Sequence, residues 1–468
     1  MINKLKEIAL LEQTFNFKTN APIKFSLEGL SEKNVRELSA MKNEPEWMLD
    51  LRLKAFRHFM QRKMPSWGPD LSKINFNEIK YFIKPKAIKA REWKKVPKEI
   101  KETFERLNLP EIERKALAGS IAQFESESVY LNLKKEFEEK GIIFVDLDTA
   151  LQEYPELVKK YFMSVVPFND NKFSALHYAF WSGGSFVFVP KNTEVILPLQ
   201  TYFRMNAAKE GQFEHTLIIA EENSKVHYIE GCTAPKYPFF SLHSAVVEIQ
   251  AMKNSKVRYT TIQNWSKNIF NLNTKRAIAH ENASVEWISG SLGSFITMLY
   301  PSTILKGNNS SAFHLNIAFA PPNTWKDGGA KIIHVGKNTK SNVIAKSISF
   351  GNGTSVYRGL IRINKGAKNA FSHVQCDALL LDEKAVSLTF PHNEVLEKTA
   401  FLSHEASISR ISKEKLFYLM SRGLNEMQAK NLIVLGFLSP LLKELPLEFA
   451  VEFKRLIEIE LERFGGIG

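Results

Sequence analysis

Asn223-Ser224-Lys225-Val226 and Asn254-Ser255-Lys256-Val257 stand 31 residues apart and read alike: an asparagine, two short or charged residues, then a β-branched residue that opens an apolar run. The shape recurs at Asn192-Thr193-Glu194-Val195, Asn282-Ala283-Ser284-Val285 and Asn309-Ser310-Ser311-Ala312, with a looser copy from Asn338. The successive asparagines are 31, 31, 28, 27 and 29 residues apart. Asparagine tolerates the left-handed turn conformation, and the valine that follows suits a strand. From about Phe173, runs rich in Val, Ile, Phe, Tyr and Thr alternate with turns of Asn, Gly, Lys and Ser. One strand-opening turn per repeat of this length predicts one coil of a solenoid. Few helical segments interrupt it, which disfavours leucine-rich and ankyrin architectures. A parallel β-helix fits best, each coil burying its inward face on its neighbours. The uneven spacing leaves a β-sandwich or jelly roll as the alternative.

Stacked coils bring residues distant in sequence to strand spacing, about 4.8 Å. They also leave an open end, whose last strand needs a cap or a partner. The flanks read differently. Residues 1–160 are expected to be a helical or mixed region, 161–409 the β-helix core, and 410–468 a helical region. Met48, Leu51, Ala55 and Phe59 form one helical stripe, broken by the prolines of Met64-Pro65-Ser66-Trp67-Gly68-Pro69. A further helix is expected from about Glu111 to Leu133. Downstream, Ser412 caps a helix through Leu419 that stops at Gly423, and Asn425 with Gln428 resembles a capping box for a helix through Leu432. Ser439-Pro440 opens a third turn or helix. Phe449, Phe453, Leu456 and Ile457 line a terminal helix, and the last residues, FGGIG, fray.

The 468 residues are 44% hydrophobic and 24% charged, ordinary for a globular protein with room for a sizeable core. Two cysteines exclude a disulfide scaffold and fit a reducing compartment. Lys6 and Glu7 interrupt the N-terminal stretch where a signal peptide would be apolar, and no apolar run reaches membrane-spanning length. A cytoplasmic protein, or one inside an organelle, is the expectation, with no membrane partner. The net charge of +13 invites a nucleic-acid reading. No helix-turn-helix, zinc-finger or RNP-like pattern supports it, so a solvated basic face is the simpler account and no nucleic-acid partner is expected.

The residues that could carry chemistry concentrate in 371–409, which holds FSHVQCDALLLDE, TFPHNEV and FLSHEASIS. Cys376, His404 and Glu405 offer a thiol, an imidazole and a carboxylate, donors that bind iron or zinc. Cys376 and Glu405 are 29 residues apart, which is no local metal motif and makes a site only if coils stack. An unpaired cysteine is otherwise a small core residue. Cys232 ends a strand in Glu230-Gly231-Cys232-Thr233. Arg204 and Asn206 are two apart and so share a strand face, Gln263 and Trp265 repeat that arrangement, and Lys275 lies on the next run. An inward polar lane and an outward polar face are equally compatible with that spacing. His215, His227, His243 and His314 read as structural or exposed. No close Asp/Glu set stands out on the strand runs, which argues against a β-helix polysaccharide lyase or hydrolase.

Several stretches coincide with a known family. NEPEWMLDLRLKAF, TYFRMNAAKEGQFEHT, YIEGCTAP, KNSKVRYTTIQNW, GKNTKS, YRGLI, QCDALL, HEASIS and the tail LFYLMSRGLNEMQAKNLIVLGF…ELPLEFAVE resemble, in order, the SufB scaffold subunits of the SUF iron–sulfur cluster assembly system. The resemblance runs from about Asn43 to Glu462, and WMLDLRLKAF separates SufB from its paralogue SufD. It implies a right-handed parallel β-helix between helical regions, and a non-enzymatic platform. The partners it implies are a SufD-type paralogue or a second SufB copy, a SufC-type ABC ATPase docked on the C-terminal helices, and a cysteine desulfurase system as sulfur donor. No Walker motif occurs here, so ATP hydrolysis falls to the partner. The resemblance makes Cys232 the persulfide acceptor. It places Arg204, Asn206, Gln263, Trp265 and Lys275 on a sulfur path toward Cys376, and a transient iron–sulfur cluster at Cys376 with Glu405 and, more weakly, His404. The family complex also binds reduced flavin, although no dinucleotide fingerprint occurs here. Two departures stand out: the additional N-terminal cysteines of many SufB chains are absent, and Ser403 replaces the frequent glutamate before the His-Glu pair. A purely structural SufD-like subunit is the other reading.

Overall fold

The computed structural model describes residues 17–106, 116–445 and 447–465. Its body is a parallel β-solenoid of about 8 turns between N-terminal and C-terminal helices. One long sheet runs Glu127–Leu133, Gly119–Phe124, Leu199–Arg204, Lys225–Thr233, Lys256–Trp265, Ser284–Gly293, Ser311–Ala320, Lys340–Ser349, Phe371–Leu380, Phe401–Arg410. From Gly119–Phe124 onward each strand is parallel to the next. The second sheet carries the return strands, among them His215–Ala220, Val246–Ala251, Ile269–Ala279, Trp325–Gly328, Thr354–Ile363 and, at its C-terminal end, Val386–Val395.

The repeat asparagines are where the chain turns. Asn192, Asn223, Asn254, Asn282, Asn309 and Asn338 all have φ between 54° and 59°, and Asn369 continues the series at 56°. Because the turns stack, their side chains form a ladder. Each Nδ2 donates to the Oδ1 of the preceding coil's asparagine, from Asn223 to Asn192 at 2.7 Å through Asn369 to Asn338 at 3.1 Å. The same residue type thus supplies the backbone conformation and the coil-to-coil contact.

Two apolar layers hold the solenoid. Tyr228, Tyr259, Trp287, Val343 and Val374 belong to the interior core. On the outside of the first sheet, Ile288, Leu315, Ile317 and Leu379 pack under Val434, Leu438, Phe453 and Ile457 of the C-terminal helices. The caps there follow the sequence. Ser412 Oγ accepts from Lys415 N at 3.2 Å and Gly423 has φ 93°. Asn425 and Gln428 exchange reciprocal bonds of 3.0 and 2.9 Å. Pro440, however, lies inside one long helix, Glu426–Glu444, and starts no new one. The Phe449 side chain and residues 466–468 fall outside what is described.

Two expectations change toward the N-terminal side. Met48, Ala55 and Phe59 are buried on the helix Glu46–Gln61 as expected. The region contains strands beside its helices, and from residue 117 on the helix expected over 111–133 is absent. Residues 107–115 are outside the described residues, while Gly119–Phe124 and Glu127–Leu133 form an antiparallel pair that extends the first sheet. Both strands are buried almost throughout, so docking on the solenoid overrides local helical propensity. Lys172–Phe180, expected among strands, is a helix capped by Asn171. Among the described residues no helix is long and apolar enough to cross a membrane.

Candidate functional site

In a parallel stack, register decides which side chains share a lane. Following the pairing from coil to coil, Cys232 is aligned with Gln263, Ser291, Ala318, Ser347 and Ala378. The neighbouring inward column, two residues earlier on each strand, is Glu230, Thr261, Ser289, Asn316, Ala345 and Cys376. The two cysteines therefore face the same interior, five strand steps apart, roughly 24 Å. Between them the interior is polar. Gln263 Nε2, Trp265 Nε1, Ser289 Oγ and Ser291 Oγ are buried donors with no protein hydrogen-bond partner. Buried donors are seldom left without a partner, so this lane is suited to holding water or a polar ligand.

Lys275 reaches across from the second sheet and pairs with Glu230 at 2.7 Å, both side chains 1% exposed. Glu230 also accepts from Thr261 Oγ1 at 2.9 Å and from the Tyr259 hydroxyl. Burial would raise its pKa, but Lys275 and the Tyr259 hydroxyl hold it below the ordinary carboxylate value. A second buried pair, His243 with Glu214, adjoins the lane. His243 Nδ1 meets Asn271 Oδ1 at 2.7 Å, Asn271 Nδ2 donates to Gln263 Oε1 at 2.7 Å, and the His243 ring lies 4.5 Å from that of Trp265. Of the two readings the sequence left for His243, structural or exposed, it is the buried one. Cys232 is 1% exposed and packed with Phe203, Met205, Trp265 and Ile269. Burial, then Glu230 and Glu214, push its thiol well above the usual range. In this conformation it is a protonated, enclosed thiol.

At the other end, Cys376 is 5% exposed. Its Sγ lies 3.4 Å from His404 Nε2 of the terminal strand. Burial pushes the thiol up to about 12, against a smaller opposing pull from the Tyr357 hydroxyl. A cavity of about 20 Å³ opens beside it, lined by Asn316, Ser347, Tyr357, Ser387 and Thr389 among others. Glu405 is aligned with Gln375, so its side chain leaves the strand on the face opposite Cys376, and it is exposed. Stacking brings the two segments together as expected, but the side chain that meets the thiol is His404. Ser403, on the Glu405 face, is bonded to His373 Nδ1 at 2.7 Å. Among the described residues, no group of three His, Cys, Asp or Glu side chains is placed to hold a metal.

Arg204 and Asn206 do not join Gln263 and Trp265. Arg204 is aligned with Thr233, next to Cys232 but on the other face, and a one-residue offset in a strand reverses the side. Its Nη1 donates to Thr233 Oγ1 at 3.0 Å and its Nη2 to Phe17 O at 2.6 Å. Asn206 accepts from Thr19 N at 2.9 Å and donates to Thr19 O at 2.8 Å. Both residues hold the segment 17–19 against the strand end that carries Cys232. A close carboxylate pair also exists, off the strand runs to which the sequence reading referred: Glu125 lies in the turn after Gly119–Phe124 and Glu210 just before Gly211–Gln212. Glu125 and Glu210 both accept from Asn206 N, at 2.9 and 3.2 Å, and burial with the neighbouring Glu125 raises Glu210 well above its usual range. Both are at most 2% exposed, unlike the open pair a glycosidase presents.

Glu214, Ser289, Ser291 and Tyr357 escaped sequence reasoning, and Glu230 and His243 were named without these partners, because no local motif marks them. Only the repeat period, carried through as an alignment of coils, would have put Ser289 in the column of Cys376. Comparison with known proteins agrees with this architecture. The family described as "SUF system FeS cluster assembly, SufBD core domain" matches residues 203–437, and "SufBD protein N-terminal region" matches residues 32–201. The chain is 55% identical over 443 residues, 95% of each chain, to an iron–sulfur cluster assembly SufBD family protein of Staphylococcus aureus (strain MRSA252). It is 54% identical over 443 residues, again 95% of each chain, to one of Staphylococcus haemolyticus (strain JCSC1435). Solenoid, lane and relatives converge: this chain belongs to the SufBD family of the SUF iron–sulfur cluster assembly system.

Proposed function

We propose that this chain is a SufB-type scaffold that accepts sulfur at Cys232 and assembles a labile cluster at Cys376. The observation that carries the reading is the column of unpaired buried donors between two inward-facing thiols. A SufD-like structural subunit has no need of either thiol or of the lane. Loading is a thiol exchange: the Cys232 thiolate attacks the sulfane sulfur of a donor persulfide, the new S–S bond forms at Cys232, and the donor thiolate leaves, with no net redox change. The sulfur cannot jump roughly 24 Å between cysteines that are fixed in strands. Release from Cys232 as hydrosulfide takes two electrons and one proton from an external reductant, a dithiol or a reduced flavin. The anion then passes donors and the Lys275 ammonium on its way to Cys376.

One chain offers the cluster Cys376 and His404, with Glu405 on the outer face of the same edge strand as iron acceptor. That is too few ligands for a closed site, since clusters are usually held by four. A second β-helix, of a SufD-type subunit or of another copy, completes the set at the open end. Phe390, Phe401 and Ile408 there are 46%, 57% and 54% exposed on unpaired edge strands. On the helix Lys413–Ser421, Phe417 and Tyr418 are 74% and 57% exposed, which suits an ABC-type ATPase partner. Dimerising ATPases would pull on the strand that carries His404 and so load or release the cluster.

The test is assembly in the co-expressed complex, supplied anaerobically with iron, cysteine and a desulfurase. Cys232→Ala removes the persulfide from this chain. Cys376→Ala leaves persulfide at Cys232 and abolishes the cluster's visible absorption. Ser289→Ala with Ser291→Ala leaves Cys232 persulfidation intact but slows cluster formation. A full-strength cluster spectrum from the Cys376→Ala complex refutes the assignment.

A further inference from the structure

Outside the lane, on the outer side of the second sheet, lies a cavity of about 460 Å³. That volume is in the range of small-molecule sites, about 300–1,000 Å³. Its walls are the segment 62–67, the start of the helix Lys172–Phe180, and the strands Ile269–Ala279, Ile296–Leu299 and Lys331–His334. The lining is strongly one-signed. Arg62, Lys63, Lys172, Arg276 and Lys331 meet a single carboxylate, Asp170, and Lys275, which also borders it, is committed inward to Glu230. Asp170 is already paired with Arg276 at 2.5 Å.

The cations are held in place by the fold. Arg62 donates to Asn169 O at 2.6 Å, and Lys172 donates to Phe59 O at 2.8 Å. These carbonyls fix position but bring no negative charge. Burial lowers the pKa of Lys331, and Arg276 and Arg358 add to this against the pull of Asp170; burial and Arg62 do the same to Lys172. An anion between them would relieve that repulsion. The N-terminus of the helix Lys172–Phe180 adds positive potential. Its first free N–H groups are taken by Asn171 Oδ1, at 2.9 Å from both Phe173 N and Ser174 N, so direct contact falls to the side chains. One wall is aromatic and apolar: Trp67 is 47% exposed, its ring lies 5.9 Å from that of Tyr300, and Met64 and Met298 flank them. Lys331 Nζ sits 5.4 Å from the Tyr300 ring centre, so the cationic and aromatic parts adjoin.

We propose that this cavity binds a nucleotide-class ligand, with its phosphates on Lys63, Lys172, Arg276 and Lys331 and its planar ring on Trp67 and Tyr300. The site is on the outside of the strand whose Lys275 faces the lane, and the inference does not depend on the sulfur-transfer reading.

The full chain, purified without any ATPase partner, is titrated by calorimetry with ADP, inorganic pyrophosphate and adenosine. ADP binds saturably at one site per chain. Pyrophosphate and adenosine each bind at least about tenfold more weakly, as expected when each supplies only part of the contact. Lys63→Glu, on an exposed side chain with no structural partner to lose, and Lys331→Glu each weaken ADP by about tenfold or more. No saturable ADP binding, an unchanged affinity in Lys63→Glu, or pyrophosphate binding as tightly as ADP would each overturn the proposal.

Discussion

Lys275→Met tests the bridge across the solenoid interior. The pair it breaks is buried to 1% exposure on both sides, with Nζ 2.7 Å from Glu230 Oε1. At an effective dielectric constant of about 20 their Coulomb attraction is about 6 kcal/mol before desolvation is counted. Removing one partner of such a pair costs about 3–5 kcal/mol, because the other charge stays buried. Methionine keeps much of the lysine's volume, so little of the loss comes from a cavity. The sign with pH follows from Glu230. In the native chain its pKa lies below the ordinary value, so it adds stability that is full above the unfolded pKa and is lost only as pH falls through the folded one. Without Lys275 the burial effect is no longer offset, and the folded pKa rises above the unfolded value. The variant then regains stability as pH falls from 7 toward 5, because protonated Glu230 is tolerated between Tyr259 and Thr261. Urea unfolding followed by tryptophan fluorescence should give a wild-type-minus-variant gap that is largest at pH 7–8 and shrinks toward pH 5. Adding Glu230→Gln to Lys275→Met should recover part of the loss, a coupling of at least about 1–2 kcal/mol. A loss under about 1 kcal/mol at pH 7, or a gap that widens in acid, would refute the buried-ion-pair account.

Asn254→Ala loses both the left-handed preference at φ 59° and the ladder bonds to Asn223 and Asn282, and should cost about 2 kcal/mol. Asn254→Gly keeps the turn and loses only the exposed bonds, so its cost in the same urea experiment should be about half or less; equal costs would mean that the turn conformation contributes nothing. In the isolated chain both cysteines should resist iodoacetamide. With its thiol near 12, Cys376 at pH 8 carries on the order of one thiolate in ten thousand, so mass spectrometry should find it labelled about a thousandfold more slowly than in urea, with a rate that climbs with pH above 8. Comparable rates in native and unfolded chain would show that the site is open.

The sequence by itself determined the architecture. A turn asparagine followed by a strand recurs often enough to favour stacked coils over a β-sandwich or jelly roll, and each asparagine carries its conformational preference wherever the chain goes. The helix caps at Ser412 and Asn425 were legible for the same reason: they act within a few residues. The two thiols could be picked out, but their relation could not. Side chains in a strand alternate with period 2, so a single residue of register decides whether a group faces the lane or the outside. That parity sets Gln263 beside Cys232 and turns Arg204 away, and it sets His404 against Cys376 while Glu405 leaves on the other face. The partnership of Lys275 with Glu230 spans 45 residues and two sheets. Gly119–Phe124, next to charged and helix-prone residues, became a strand because an open sheet edge was there to receive it. Such pairings depend on which coil lies against which, and that follows from the packing of the whole solenoid.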